Sequence, residues 1–243
     1  MAGGTEHDGI YDPTYVKNVF DRCSDQYIAF SYWCSFGFTE RWRRQCIELL
    51  DLKDVTGKSG YDLMAGTGEV WPHLFKAHPS LGPITAIDIS SGMHERALAR
   101  LHKHRAHRIN FIEDDVLNSN LATDSADFIV ATFGLKTFSN RQLRKFAQLV
   151  GRTLKPGGRF AKIEASDPKG WSLRPFYRFH LEKILPLIER TLMSGAQDFA
   201  MIGQYSSRFG DASAFAEMLE TEGLTVHFQK HFFGCATSVS GTK

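Results

Sequence analysis

The sequence predicts an α/β fold whose mostly parallel sheet carries helices on both faces. Three observations predict it. From residue 60 onward, short apolar strand patterns alternate with amphipathic helical ones across short connections. Asp62-Leu63-Met64-Ala65-Gly66-Thr67-Gly68-Glu69 reads as a strand end, a glycine turn and a helix start. Asp88 then closes the next apolar strand, Ile84-Thr85-Ala86-Ile87-Asp88, near the roughly 20-residue offset of a ribose-binding carboxylate. Glycines in such a turn can take positive φ and carry no Cβ, so the backbone can approach a nucleotide-like ligand.

The elements follow in order. Residues 1–12 read as a loose tail ended by Asp12-Pro13, a cap and first helical residue. Tyr15, Val16, Val19 and Phe20 recur at helical spacing, an aromatic connector spans Tyr27 to Phe38, and a second helix covers Glu40–Leu50. Strands are predicted near 60–65, 83–88, 109–113, 127–132 and 159–164, with helices near 69–77, 91–105 and 140–153. Ser90 and Ser91 are candidate caps, and Leu154-Lys155-Pro156-Gly157-Gly158 reads as the turn into the fifth strand. The stretch 174–193 is helical, and its internal Pro186 should kink or split it into a cover over the ligand edge. A helix over 211–222 precedes strands near 224–229 and 231–239, too close together for a crossover helix and therefore antiparallel.

Composition bounds the function. At 243 residues the chain reads as a single domain: a helical cap over 1–50, a cofactor-binding core over 58–166, a substrate cover over 170–210, and a closing helix and hairpin over 211–243. A net charge of +2 gives no reason to expect nucleic acid, and no run approaches the roughly 18 apolar residues of a membrane span. The basic stretch Arg100 to Arg108 reads as a solvated helix end rather than an acidic-partner or phosphate site. His102, His104 and His107 lack metal-ligand spacing and companions, so no metal is expected. Four cysteines without a CxxC pair, and a start with no apolar signal region, suggest reduced thiols and a cytoplasmic setting.

The cofactor can be narrowed. A nicotinamide or flavin turn wants a third glycine where this chain has Trp71, and the lysine of a nucleoside-triphosphate loop is absent. The ligand should carry a ribose without a pyrophosphate. S-adenosylmethionine fits, with its ribose hydroxyls on Asp88, whose carboxylate at an apolar strand end needs a partner.

Further segments carry a resemblance: VFDRCSDQY from Val19, SFGFTERWRR at 35–44, DLMAGTGE at 62–69, AIDISSGM at 86–93, ATFGLKTF at 131–138, LKPGGRFAKIEAS at 154–166 and the closing FFGCATSVSGTK. From about Val19 to Lys243 the chain resembles the UbiE-like C-methyltransferases of ubiquinone and menaquinone biosynthesis, a family of class I S-adenosylmethionine methyltransferases. The glycine turn is shared by all such enzymes; the FGLKTF segment paired with LKPGG-to-glutamate is more specific. The resemblance implies a Rossmann-like fold with a seven-stranded, mostly parallel sheet, an antiparallel C-terminal hairpin, N-terminal helices and a helical cover.

By position, it implies that Ala65, Gly66, Thr67 and Gly68 line the methionine and ribose part of the cofactor. Asp88 with Ile89 takes the ribose and Met93 packs near the adenine. Asp115 with Val116 contacts the adenine, Asp114 being the close alternative. Thr132 and Phe133 border the transfer site. The departures fall on the acceptor side. Where the family has Arg-Asn after the FG motif, this chain has Lys136-Thr137, and lysine lacks arginine's planar fork. The family pattern YD-x-MND appears as Tyr27-Ile28-Ala29-Phe30-Ser31-Tyr32, a serine of the cover aligns with Tyr205, and a late histidine aligns with Val239.

The expected reaction is methyl transfer to a small aromatic or enol-like acceptor, quinone- or quinoline-like, at carbon. Carbon methylation needs an electron-rich acceptor, hence a base or an anion-stabilising cation. Lys136, Tyr27 and His180 are the candidates, with a pocket of Phe30, Trp33, Phe36, Tyr177 and Tyr205. Oxygen or nitrogen methylation, a quinone-pathway enzyme, a non-catalytic cofactor-binding protein and a dehydrogenase remain alternatives. A homodimer stays open, and the aromatics around Trp33 permit peripheral membrane association.

Overall fold

The computed structural model describes residues 9–53, 55–104, 108–192 and 199–243. Its centre is one seven-stranded sheet in the order β3-β2-β1-β4-β5-β7-β6. The strands are β1 (Gly60–Leu63), β2 (Ile84–Asp88), β3 (Ile109–Glu113), β4 (Ala126–Thr132), β5 (Leu154–Ala165), β6 (Thr225–His231) and β7 (Ala236–Thr242). The first five run parallel, and β7 inserts antiparallel between β5 and β6. The sequence placed all seven strands and the antiparallel end.

Two helical layers explain the apolar patterns. One face is covered by α2 (Phe38–Leu50), α3 (Trp71–Ala77) and α4 (Ser91–His104), burying Cys46, Ile47, Leu50, Trp71, Leu74 and Ala97 against Ile84, Phe128 and Ile163. The other is covered by α5 (Asn140–Thr153) and by α9 (Ser213–Thr221), which follows the three cover helices described below. There Phe146, Val150, Phe215 and Leu219 meet Leu63, Ile129 and Phe160. Apolar residues at helical spacing bury one stripe per helix. Ser139 and Gln142 close a reciprocal capping box at the start of α5.

Helix α1 (Pro13–Cys34) corrects one expectation. Asp12 does cap it, accepting from Tyr15 N at 3.0 Å with Pro13 in the first turn. It then runs straight through the expected aromatic connector and stops only at Ser35–Gly37, where Gly37 takes φ 76°. No glycine or proline intervenes before Gly37, and Cys23, Tyr27, Phe30 and Cys34 keep helical spacing against Leu181 and Leu185.

The cover begins with α6 (Arg174–Phe179) and passes through one π turn, His180–Ile184, into α7 (Leu185–Leu192). Leu185 N–H donates five residues back to His180 O, and Pro186, which has no N–H to give, follows at once. Pro186 thus splits the helix as expected. A further helix, α8 (Phe199–Phe209), falls within the cover expected over 170–210, although its bounds were not read from the sequence; Gly203, Ser206 and Ser207 blur its periodicity. The Leu154–Gly158 turn lies inside β5 as an irregularity opposite β4, with Gly157 at φ 76°. No described helix is long and apolar enough to cross a membrane. His107 and the side chains of His102 and His104 lie outside what is described.

Candidate active site

A cleft opens at the carboxyl ends of β1, β2 and β4, where the strand order reverses beside β1. That reversal is where doubly wound sheets leave a crevice for a ligand. The cleft encloses about 860 Å³, open solvent at its mouth included. Two non-glycine residues on its wall adopt left-handed backbone, Met64 (φ 58°) after β1 and Phe133 (φ 63°) after β4. Gly134 makes room for the first, since a Cβ there would lie 2.6 Å from Met64 Sδ. Strain of this kind persists where the surroundings fix it, and here it surrounds the ligand side.

The glycine turn divides into two roles. Gly66 (φ 56°) faces open space, with nothing within 4 Å of where a Cβ would sit. Gly68 (φ 70°) faces inward, where a Cβ would stand 2.2 Å from the Trp71 ring. Trp71, standing where a dinucleotide fold needs its third glycine, donates from Nε1 to Asp62 Oδ2 at 2.7 Å. Burial pushes Asp62 up to about 7, against that hydrogen bond.

Ala65, Gly66, Asp88, Ile89, Met93, Asp114, Asp115, Val116, Thr132 and Phe133 all line the cleft. Thr67 and Gly68 stand behind it; Thr67 is buried, and its Oγ1 has no hydrogen-bond partner among the described residues. Asp88 accepts from Gly66 N (2.7 Å) and Ser90 N (2.9 Å), which fixes its carboxylate at the cleft floor. Burial raises its pKa despite those two donors. Asp115 closes its own turn, accepting from Leu117 N and Asn118 Nδ2, and burial raises its pKa, with Asp114's charge adding to the rise. Met93 packs against Cys23, Phe30 and Leu185 as well as lining the cleft.

Sequence reasoning missed three parts of this wall. Pro13, Val16 and Phe20 of α1 cover the cleft, and Asp21 holds α1 to the start of α4 by accepting from Ser90 Oγ (2.6 Å) and Gly92 N (3.0 Å). Gln142 Nε2 donates to Tyr11 O. Arg43 and Glu69 enter the cleft as a buried pair, Nη2 to Oε2 at 2.7 Å. Arg43 also reaches Glu40 (2.9 Å), which meets His73 (2.8 Å), and stacks 5.1 Å from the Phe133 ring centroid. Glu69 was inside the quoted motif. Arg43 lay inside the SFGFTERWRR segment of the resemblance, but nothing in its spacing aimed it at the cleft.

The residues expected around the acceptor separate. Tyr27 lines the cofactor cleft, and burial raises its hydroxyl pKa. Phe30, Phe36, Tyr177 and His180 line a second, apolar cavity between α1, α2 and the cover, of about 1240 Å³ with its mouth. Burial raises the Tyr177 pKa too. His180 Nε2 lies 3.0 Å from Cys34 O; a carbonyl only accepts, so Nε2 carries the proton and Nδ1 is the accepting nitrogen of the neutral ring. Trp33 points outward, 73% exposed, against Tyr32. Tyr205 is buried elsewhere, donating to Ile10 O at 2.5 Å. Both stand outside the two cavities, because helical spacing turns Trp33 away and α8 aims Tyr205 at the N-terminal segment.

Lys136 is neither solvated nor in the cleft. Its Nζ donates to Glu164 Oε1 (2.7 Å) and Phe133 O (2.9 Å), and its backbone N to Glu164 Oε2 (3.1 Å). The two segments that carried the resemblance meet in this pair. A buried carboxylate at the end of β5 consumes the charge expected to face the acceptor.

Sheet order, glycine turn and acidic β2 end together define a methyltransferase that uses S-adenosylmethionine. The residues present fit that cofactor: Gly66 leaves a cradle, Asp88 offers a ribose acceptor, and Arg43 Nε is buried without a hydrogen-bond partner among the described residues. Comparison with known proteins agrees. Residues 10–243 match the profile of the ubiE/COQ5 methyltransferase family, and the chain belongs to it. It is 25% identical over 230 residues to a demethylmenaquinone methyltransferase of Lactiplantibacillus plantarum, covering 94% of this chain and 95% of that one. It is 27% identical to the ubiquinone/menaquinone biosynthesis C-methyltransferase UbiE of Rubrivivax gelatinosus, covering 94% and 86%. Phosphoethanolamine N-methyltransferase 2 of Haemonchus contortus, solved with S-adenosyl-L-methionine, shares the fold at TM-score 0.61 and 14% identity, over 92% of this chain and 60% of that one.

Proposed function

We propose that this methyltransferase acts on a small aromatic or enol-like acceptor, at carbon, and that the acceptor occupies the apolar cavity. The observation that carries this reading is the cavity's lining. Aromatic and aliphatic side chains dominate it, and among the described residues no Asp, Glu, Lys or Arg lines it. It abuts the cofactor cleft: Trp42 on its wall has its ring 6.3 Å from that of Phe133, which lines the cleft. A flat, apolar acceptor suits such a wall better than a charged one. The quinone named in the relatives' activities has that character.

When bound, S-adenosylmethionine supplies a methyl group already activated on a sulfonium. The chain's own residues supply positioning and a dry site, worth about 7–11 kcal/mol of barrier in well-oriented reactions. Met64 and Phe133, held in strained backbone, shape the boundary between cleft and cavity. His180 Nδ1 is the proton acceptor for an acceptor hydroxyl, because the bond from Nε2 to Cys34 O fixes which nitrogen is free. Breaking that O–H bond leaves its electron pair on the acceptor and makes the ring carbon nucleophilic. Lys136 takes no part, being spent on Glu164.

The test is incubation with methyl-labelled cofactor and a panel of quinones, hydroxyquinolines and phenols, with mass spectrometry locating the label. Label on a ring carbon is the expected result. Label on oxygen or nitrogen would assign the enzyme to the other acceptor chemistry, and binding without product would leave a non-catalytic role.

A further inference from the structure

We propose that Arg43 and Glu69 dock the zwitterionic methionine end of the cofactor, Arg43 meeting its carboxylate and Glu69 its ammonium. Arg43 is the only cationic side chain lining the cleft among the described residues; the other charged groups there are Glu69, Asp88, Asp114 and Asp115. A carboxylate entering the cleft therefore has one place to go. Arg43 Nη1 and Nη2 are taken by Glu40 and Glu69, while its Nε is buried with no partner. A buried donor without an acceptor is costly, and a ligand oxygen removes that cost.

Glu69 gives the complementary half. Its Oε2 takes Arg43, and its Oε1 has no hydrogen bond among the described residues. It sits directly after the glycine turn and lines the same cleft as the cradle at Gly66. The charge balance separates this role from acceptor activation. Arg43 already faces Glu40 and Glu69, so the cluster has no surplus positive charge for a lone acceptor anion. A zwitterion brings its carboxylate and its ammonium together and leaves the local charge balance unchanged. A carboxylate–guanidinium pair matches the two charges of an α-amino acid group.

Isothermal titration tests this with two probes, S-adenosylhomocysteine and 5′-methylthioadenosine, which keeps adenine, ribose and sulfur but lacks the amino-acid end. Arg43→Met is expected to weaken S-adenosylhomocysteine binding about 30-fold and Glu69→Gln about 10-fold, as loss of charge-assisted hydrogen bonds does. Binding of 5′-methylthioadenosine is expected to stay within about twofold in both. Arg43→Lys, which keeps charge but loses the fork, should recover part of the affinity. Where Arg43→Met strands Glu69 and unfolds the protein, the double variant Arg43→Met/Glu69→Gln removes both charges and carries the same expectation. Parallel loss for both probes, or unchanged S-adenosylhomocysteine affinity, overturns the proposal. Wild-type protein that binds neither probe overturns the cofactor assignment itself.

Discussion

The cofactor cleft and the apolar cavity sit side by side but are built by different means. The cleft is made from strand ends and turns, with Asp88 held by two backbone N–H groups and Met64 and Phe133 in left-handed backbone. The cavity is made from helix faces and their joints, with exposed Phe36, Phe176 and Phe232 at its rim. Backbone geometry recognises a constant ligand, because any change of position breaks it. Packed side chains can be exchanged one at a time, so helix faces are where an acceptor preference can drift without disturbing the methyl donor.

The pair behind the boundary gives the largest expected effect. Lys136→Met leaves Glu164 buried with its counter-charge gone, and denaturant unfolding should show a loss of about 3 kcal/mol. Folded Lys136→Met that is fully stable but inactive would return Lys136 to the chemistry and erase the division drawn above. Within the cleft, Gly68→Ala should cost about 2 kcal/mol by driving a Cβ into the Trp71 ring. Gly66→Ala, with open space around it, should cost about 1 kcal/mol in stability yet abolish detectable S-adenosylhomocysteine binding in the same titration. Equal behaviour of the two would show that the turn has no ligand side.

The framework beneath both regions carries a separate signature. Lys162 is fully buried on β5, its Nζ 4.4 Å from the Phe146 ring centroid and without a hydrogen-bond partner among the described residues. Burial lowers its pKa from 10.5 to about 7. Between those values the unfolded chain holds a proton that the folded chain has released, so stability rises with pH across that window. Lys162→Met should flatten that slope and add about 2 kcal/mol at pH 7, read from denaturant midpoints at pH 7 and pH 9.5. The smallest effect belongs to the cavity rim. Phe176→Ser should raise the acceptor KM about fivefold and leave cofactor affinity unchanged, a shift of about 1 kcal/mol.

The sheet was legible because its signals are local: period-two strands, the Ser90 cap and the short gap before β7. The cofactor side was legible for the same reason, since Gly66 and Asp88 sit at fixed offsets within one strand–turn–helix unit. The acceptor side depends on which way a helix faces after long-range packing. Trp33 and Phe30 look alike in sequence, yet one is exposed and the other buried. Lys136 read as a free cation because its partner lies 28 residues further along, on the adjoining strand. Arg43 and Glu69, 26 residues apart, are joined only when α2 packs beside the glycine turn.

The N-terminal strap has a kinetic meaning. Pro13, Val16 and Phe20 lie across the cleft, and the strap is tied down by Tyr205 on Ile10 O, Gln142 on Tyr11 O and Asp21 on the first residues of α4. Those ties are expected to hold the strap over bound donor and so to slow the exit of spent donor. Methylation in the first turnover should outrun the steady rate, appearing as a burst in rapid-quench experiments. Cutting the Tyr205 tie with Phe would shorten the wait between turnovers, making a tyrosine that reaches the cleft only through Tyr11 and the backbone of Ile10 the timekeeper of the reaction.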